Sequence, residues 1–261
     1  VTQAVHTLSL EIMPGETVAL VGESGSGKSV SALAGLGLLP DSAVQSGDIS
    51  WKGDRLDPHD EAAMMALRGN QVGMVFQEPM TSLNPLHTIE RQIGESLRLH
   101  QRLSPPQVME RTIELLTRVG IPDPAERLTS YPHELSGGQK QRINLARALA
   151  ADPEVVLCDE VTSALDTIVG ANVIELLKSL RRDTGVSFVF ISHDLSTVAS
   201  FADHIVVMYD GQVAEQAPTD QLLVPPHHPY TDLLIASVPE MRTGWLEEAI
   251  ESRGSDGQRI F

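Results

Sequence analysis

Eight consecutive residues near the start of the chain combine the groups that proteins use to bind phosphate, and they fit G-x-x-x-x-G-K-[ST] at every fixed position. Glycines allow successive backbone N–H groups to point inward at an anion, and the N-terminus of a following helix adds partial positive charge. In this pattern Lys28 reaches the β and γ phosphates of a nucleotide, and the Ser29 hydroxyl ligates Mg²⁺. The sequence therefore predicts a phosphate-binding loop made of Gly22, Glu23, Ser24, Gly25, Ser26, Gly27, Lys28 and Ser29.

A pair of carboxylates supplies the other groups that phosphoryl transfer to water requires. Asp159 and Glu160 directly follow Val155–Cys158, an apolar run with the length of a buried strand. Ligands of α/β sheets bind at the carboxyl ends of the strands. We therefore expect Asp159 to join Ser29 around Mg²⁺, and Glu160 to act as the general base for the attacking water.

The elements that must position these groups follow an alternating pattern of short apolar runs and amphipathic stretches, which favours an α/β fold with a largely parallel sheet. The segment from Thr88 to Ala150 has no convincing strand, so we predict a mostly helical insertion there. Asp210-Gly211 predicts a hairpin. The predicted strands are Thr17–Val21, Val72–Phe76, Val155–Cys158, Ser187–Ile191, Ile205–Tyr209 and Gln212–Gln216, and the clearest helices are Thr88–His100, Pro106–Val119, Gly138–Ala150 and Ile168–Leu180.

Composition and charge argue against several classes of protein. The chain has 261 residues, and 35 Asp and Glu against 19 Lys and Arg give a formal net charge of −16, which argues against a nucleic-acid partner. A single cysteine argues against a disulfide framework. No apolar run approaches the length of about 20 residues that spans a bilayer. The chain starts with Val and shows no signal peptide, so we expect it to be processed or cut from a longer one.

The most diagnostic segment lies ahead of the paired carboxylates and reads LSGGQKQR from Leu135 to Arg142. It resembles the signature of the ATP-binding-cassette (ABC) proteins. In that family the signature begins a helix at a dimer interface, where it contacts the γ-phosphate held by the other subunit. The resemblance therefore implies that ATP also contacts Ser136, Gly137, Gly138 and Gln139, contributed by a second ABC domain.

Three further residues are identified by the same resemblance. Gln77 resembles the Q-loop glutamine, which implies contact with Mg²⁺ and with the attacking water. Asp166, in the sequence SALD, is similar to the D-loop aspartate that works across the dimer interface. His193, in ISHD, resembles the switch histidine that contacts the γ-phosphate. The implied catalytic residues are Glu160, His193 and Gln77, and the implied Mg²⁺ ligands are Ser29, Gln77 and Asp159.

The similarity extends to the oligopeptide, dipeptide and nickel importer ATPases. Three segments carry it: QEPMTSLNP from Gln77, YPHE from Tyr131, and HPYT from His228. The chain also departs from the family pattern. The 21 residues before Gly22 include none of the aromatic residues that would stack on adenine, Val161 replaces a common proline, and Cys158 is the only cysteine, so we expect no iron–sulfur cluster.

The resemblance implies an α/β P-loop NTPase of the ABC type, with a RecA-like parallel-sheet core, antiparallel β elements and a helical subdomain. We predict core segments at 1–87 and 151–217, a helical subdomain at 88–150, and a C-terminal extension of the peptide-importer type at 218–261. The implied activity is ATP hydrolysis with Mg²⁺, which powers import of peptides or related solutes. The implied partners are a second ABC domain, membrane permease subunits at the cytoplasmic face of the membrane and, indirectly, an extracytoplasmic solute-binding protein.

Three other functions are possible, but each accounts for fewer of these sequence features. The chain could be half of a tandem or heterodimeric ABC ATPase for another solute. A non-transport ABC ATPase of DNA repair would need a larger insertion between Gln77 and Ser136 and a more basic surface. A P-loop kinase for a small metabolite would need neither the signature nor Glu160.

Overall fold

Eight strands form in the structure, a computed structural model that describes residues 3–76, 82–163 and 165–237. Most of them coincide with the apolar runs of the sequence. Their bounds are β1 (Thr17–Val21), β2 (Ile49–Trp51), β3 (Asp54–Leu56), β4 (Val72–Val75), β5 (Val155–Asp159), β6 (Ser187–Ser192), β7 (His204–Tyr209) and β8 (Gln212–Pro218).

Six of the strands make one sheet in the order β4-β5-β6-β1-β7-β8. The first five are parallel to one another, and β8 runs antiparallel to β7. This antiparallel pair confirms the hairpin predicted at Asp210-Gly211. The two-stranded sheet of β2 and β3 was not predicted from the sequence.

The helices occupy the intervals between the strands. Ten α-helices lie among the described residues. They include the helix expected after the phosphate loop and the four helices with predicted bounds, whose end points are shifted by one to several residues. Their bounds are α1 (Lys28–Gly35), α2 (Glu61–Leu67), α3 (Ile89–Ser96), α4 (Pro105–Arg118), α5 (Pro124–Arg127), α6 (Gly137–Ala148), α7 (Thr167–Thr184), α8 (Leu195–Ala199), α9 (Thr219–Leu222) and α10 (Pro229–Ser237).

The central sheet is covered on both faces. Every residue of β1, β5 and β6 is buried, as expected for parallel strands with helices on both sides. Alternate residues of β1 enter different cores: Val18 and Leu20 pack in the layer that contains α1 and α2, whereas Ala19 and Val21 pack in the layer that contains α3, α4 and α6. The sheet is thus held rigidly between two apolar layers, with its strand ends available for a site.

The segment from Thr88 to Ala150 lies wholly within the described residues and contains helices without strands, which confirms the helical insertion. Helices α3, α4 and α6 pack against one another, and α6 also contacts β4. The predicted helix Thr88–His100 is wrong in one respect, because α3 ends at Ser96 and a π-helical turn, Leu97–Gln101, follows it. The apolar spacing of four that runs from Ile89 to Leu97 reaches the first residue of the turn, so periodicity did not reveal where the α-helix ends. The domain boundaries stay a prediction.

Candidate nucleotide site

The strand order brings the predicted site residues to one edge of the sheet. β6 lies between β5 and β1, and all three strands run in the same direction. The phosphate loop follows β1, the paired carboxylates stand at the end of β5, and His193 directly follows β6. Residues that are far apart in sequence therefore meet where the carboxyl ends of these strands come together.

Glycine is required in the phosphate loop because other chain segments approach it closely. A Cβ atom at Gly22 would lie 2.1 Å from the carbonyl oxygen of Met208, which no side chain can tolerate. Gly27 has a φ of 101°, in the left-handed region, and a Cβ there would lie 2.7 Å from Val5 Cγ2. The loop ends where α1 begins at Lys28, so the N-terminus of α1 faces the loop.

Lys28 is a buried cation inside this loop. Its Nζ donates to the carbonyl oxygens of Gly22 at 2.8 Å and of Glu23 at 2.7 Å, and it lies 3.4 Å from Ser26 Oγ. Burial lowers the pKa of the Lys28 ammonium, and the carboxylates of Glu160 and Asp159 oppose this effect. The loop therefore holds a positive charge where a phosphate group would bind.

Ser29 and Asp159 form the oxygen pair predicted to hold Mg²⁺. The Ser29 hydroxyl donates to Asp159 Oδ1 at 2.9 Å, which joins α1 to the end of β5. Burial raises the pKa of Asp159, and the hydrogen bond from Ser29 acts in the opposite direction. A hydroxyl and a carboxylate this close together fit Mg²⁺, which prefers oxygen ligands and neutralises phosphate charge when bound.

Glu160 adopts an unusual backbone conformation with a φ of 46°, and its N–H donates to the Ile191 carbonyl oxygen at 3.0 Å. Its carboxylate Oε2 lies 3.8 Å from His193 Nδ1. The Glu160 side chain is 15% exposed, and that of His193 is 58% exposed. The two groups thus form a partly buried base beside an accessible imidazole, as general-base catalysis on bound phosphate would need.

Asp194 anchors the helix that follows His193. Its carboxylate caps α8 and accepts hydrogen bonds from the Ser196 N–H at 3.0 Å, from the Ser196 hydroxyl at 2.6 Å, and from the Thr197 hydroxyl. Burial alone would raise the pKa of Asp194, but these hydrogen bonds together hold it below its ordinary value. Ionised Asp194 therefore stabilises the fold next to His193.

We expect Asp194→Ala to lower the free energy of unfolding by about 1 kcal/mol at pH 7, the usual effect of removing an N-cap. The folded-state pKa is lowered, so this stabilisation is present above the unfolded-state pKa and is lost as the pH falls through the folded-state pKa. Denaturant unfolding of the variant and wild type at neutral and acidic pH measures it. Asp60→Ala, which removes the N-cap of α2, is the control for losing a helix cap elsewhere in the chain. An equal difference at both pH values would contradict the role of the charge.

The signature segment stands at the beginning of α6. Ser136 caps this helix through the Gln139 N–H, and the Gln139 side chain accepts from the Ser136 N–H. Ser136 and Gly137 are exposed, whereas a Cβ at Gly138 would lie 2.8 Å from Val169 Cγ1 of α7. The segment thus presents small residues and helix N–H groups to its surroundings.

Asp166, the predicted D-loop residue, is exposed and caps α7, with its Oδ1 accepting from the Val169 N–H at 2.9 Å. Gln77 lies outside the described residues, so its predicted role stays a prediction. Cys158 is buried in β5, as predicted, and burial raises the pKa of its thiol.

Sequence reasoning missed one contact with the phosphate loop. The hydroxyl oxygen of Tyr230, on α10, accepts a hydrogen bond from the Glu23 N–H at 2.9 Å. The sequence singled out HPYT only as a family resemblance, and no spacing pattern links Tyr230 to a loop 207 residues away.

Family models match most of the chain. One described as ABC transporter matches residues 5–163, and one described as Oligopeptide/dipeptide transporter, C-terminal region, matches residues 214–260. Peptidoglycan transport ATP-binding protein YejF of Agrobacterium fabrum is 52% identical over 91% of this chain, which spans only 44% of that relative. Oligopeptide transport ATP-binding protein OppD of Bacillus subtilis is 44% identical over 94% of this chain and 69% of its own length.

Solved structures agree in fold. The ATP-binding cassette MJ0796, in a dimeric post-hydrolysis state bound to ADP and Pi, is 30% identical, with a TM-score of 0.73 over 83% of this chain and 90% of its own. CbiO1 from Clostridium perfringens, at 24% identity, has a TM-score of 0.76 over 95% and 92% of the two chains. The described part of the chain contains no helix that could span a membrane. Since the first family match runs from the phosphate loop through the signature to both carboxylates, the chain belongs to the ABC transporter family of ATPases.

Proposed function

We propose that this chain is the ATP-hydrolysing subunit of a peptide importer and works by closing on a second ABC domain. The observation that carries the proposal is the meeting of four groups at one sheet edge: the Lys28 ammonium, the Ser29–Asp159 pair, the Glu160 carboxylate and the His193 imidazole. These are the groups needed to bind a triphosphate, hold its metal and activate water.

Each residue has one role in the proposed hydrolysis. Lys28 and the loop N–H groups bind the phosphates, and Ser29 and Asp159, with Gln77, hold Mg²⁺. Glu160 accepts a proton from water as the water oxygen bonds to the γ-phosphorus, and the bond from that phosphorus to the β–γ bridging oxygen breaks. His193 contacts the γ-phosphate. The products are ADP and inorganic phosphate.

The signature residues complete the site from the partner domain. Ser136 and Gly137 are exposed, and none of the hydrogen bonds among the described residues joins the segment Ser136–Gln139 to the phosphate loop of the same chain. A second copy or a homologous domain, placed face to face, would supply these helix N–H groups and Asp166. Closure then depends on ATP, and hydrolysis releases it.

The import of peptides is supported by the family matches. Residues 214–260 match the C-terminal region of oligopeptide and dipeptide transporters, and the relative OppD is named as an oligopeptide transport ATP-binding protein. We infer that the chain binds permease subunits at the cytoplasmic face of a membrane, with residues 88–150 as the docking subdomain. A solute-binding protein would deliver the peptide from the other side.

Light scattering of Glu160→Gln with and without Mg·ATP tests this proposal. We expect the variant to be monomeric without nucleotide and dimeric with it, because bound ATP is retained and both faces are present in one chain. Dimerisation would support pairing between identical copies.

Gly137→Asp in the Glu160→Gln background is the matched control. Apart from its chain neighbours and the backbone of its own helix, no described atom lies within 4 Å of a Cβ built at Gly137, so the side chain fits the monomer but would fill the proposed interface. We expect this variant to bind ATP and stay monomeric. ATP binding by Glu160→Gln without dimerisation would contradict a homodimer and favour a non-identical partner, as in a tandem ATPase.

A further inference from the structure

The phosphate loop is supported by a residue from the far end of the chain. Tyr230 is 6% exposed, and its hydroxyl oxygen accepts from the Glu23 N–H at 2.9 Å. The carbonyl oxygen of the same Glu23 accepts from Lys28 Nζ at 2.7 Å. Both polar backbone groups of Glu23 are therefore hydrogen-bonded to side chains. Its N–H is bonded to Tyr230, near the end of the described chain, and its carbonyl oxygen to Lys28, in the phosphate loop itself.

The neighbours of Tyr230 fix the place of its hydroxyl. Its ring packs on that of Tyr209, with centroids 4.4 Å apart, and its N–H donates to His228 Nδ1 at 3.2 Å. The Glu215 carboxylate on β8 accepts from the His228 N–H at 2.9 Å, which ties the start of α10 to the sheet. These contacts restrict the side chain before any ligand binds.

Helix α10 connects two parts of the nucleotide site. It packs against α8, the helix that follows His193, and against β8. Through Tyr230 it also contacts the loop that holds Lys28. The helix begins in the HPYT segment and lies within the match to the C-terminal region of peptide transporters.

We infer that Tyr230 is a positioning residue for the phosphates of ATP, through which the C-terminal region sets the shape of the phosphate loop. The hydroxyl holds the first peptide after Gly22 in place, and the loop N–H groups that follow it keep their inward direction. The inference rests on the proposed function for the identity of the ligand. It predicts that the hydroxyl affects nucleotide binding more than the chemical step.

Tyr230→Phe removes this hydroxyl and keeps the ring that packs on Tyr209. Titration of the full chain with a fluorescent ATP analogue and Mg²⁺ gives Kd, and steady-state hydrolysis gives KM and kcat. We expect Kd and KM to rise about threefold to tenfold, as for the loss of one neutral hydrogen bond, with kcat unchanged. The melting temperature should fall by no more than a few degrees, because the same hydrogen bond also stabilises the fold. The Kd for ADP should rise by the same factor, because Glu23 lies at the base of the loop.

Tyr209→Phe is the matched control, because it removes a hydroxyl from the other ring of the same pair. This variant should bind ATP like the wild type. The inference is overturned if Tyr230→Phe also binds like the wild type, or if it only lowers the melting temperature. If the wild type and Tyr209→Phe both fail to bind ATP, the proposed function is overturned and this inference with it.

Discussion

Replacement of Glu160 by glutamine is expected to slow ATP hydrolysis about 10²–10⁴-fold, the usual contribution of a general base. The amide has the shape of the carboxylate but cannot accept the proton of the attacking water. ATP binding should be unchanged or tighter. The variant removes a negative charge close enough to shift the pKa of both Lys28 and Asp159, and that charge would repel a bound triphosphate. Single-turnover hydrolysis measured beside an ATP titration separates the two effects.

Glu114→Gln is a suitable control for this variant, because Glu114 forms an ion pair with Arg111 on helix α4. The control should hydrolyse ATP at the wild-type rate. Wild-type turnover by Glu160→Gln would exclude Glu160 as the base, whereas a loss of ATP binding would mean that the substitution disturbs the site itself.

Lys28→Met is expected to weaken ATP binding about 100-fold, since hydrogen bonds to charged groups contribute about 1.5–3 kcal/mol each and about 1.4 kcal/mol corresponds to a factor of ten. Methionine is unbranched and fills similar space, so the loop should keep its fold. Equilibrium titration with Mg·ATP measures the loss, and the melting temperature reports on the fold.

Lys52→Met is the matched control, because it removes a lysine that is exposed where Lys28 is buried. Lys52 is exposed and pairs with Glu154 at 2.7 Å on the surface, where a salt bridge contributes little. The control should bind ATP as the wild type does. Equal binding by both variants would show that the buried ammonium of Lys28 has no part in nucleotide binding.

The strands of the central sheet were predictable because parallel strands are buried on both faces. Thr17–Val21 is apolar apart from its first residue, and the structure gives β1 the same bounds. The hairpin of β2 and β3 escaped prediction for the opposite reason. Each strand has three residues, none of them buried, and the connecting Lys52 and Gly53 have positive φ without the Asn-Gly or Asp-Gly signal.

The sequence predicted which residues meet at the carboxyl ends of β1, β5 and β6, but not the distances between them. Glycine, lysine and carboxylate positions identified the loop and the end of β5, since few other chemistries use those types at that spacing. The approach of His193 to Glu160 depends on β6 lying beside β5, and strand order leaves no trace in local sequence. The contact between Tyr230 and Glu23 depends on tertiary packing in the same way.

The two carbonyl partners of Lys28 bear on how quickly nucleotide can be exchanged. The chain itself supplies two carbonyl acceptors, at 2.8 Å and 2.7 Å, and the remaining N–H of the ammonium has only Ser26 Oγ, at 3.4 Å. A phosphate oxygen at the proposed site could therefore take this third N–H while the two carbonyl bonds stay in place. We expect the buried cation to keep both partners when product leaves, so product release would avoid the barrier that a stranded buried cation imposes.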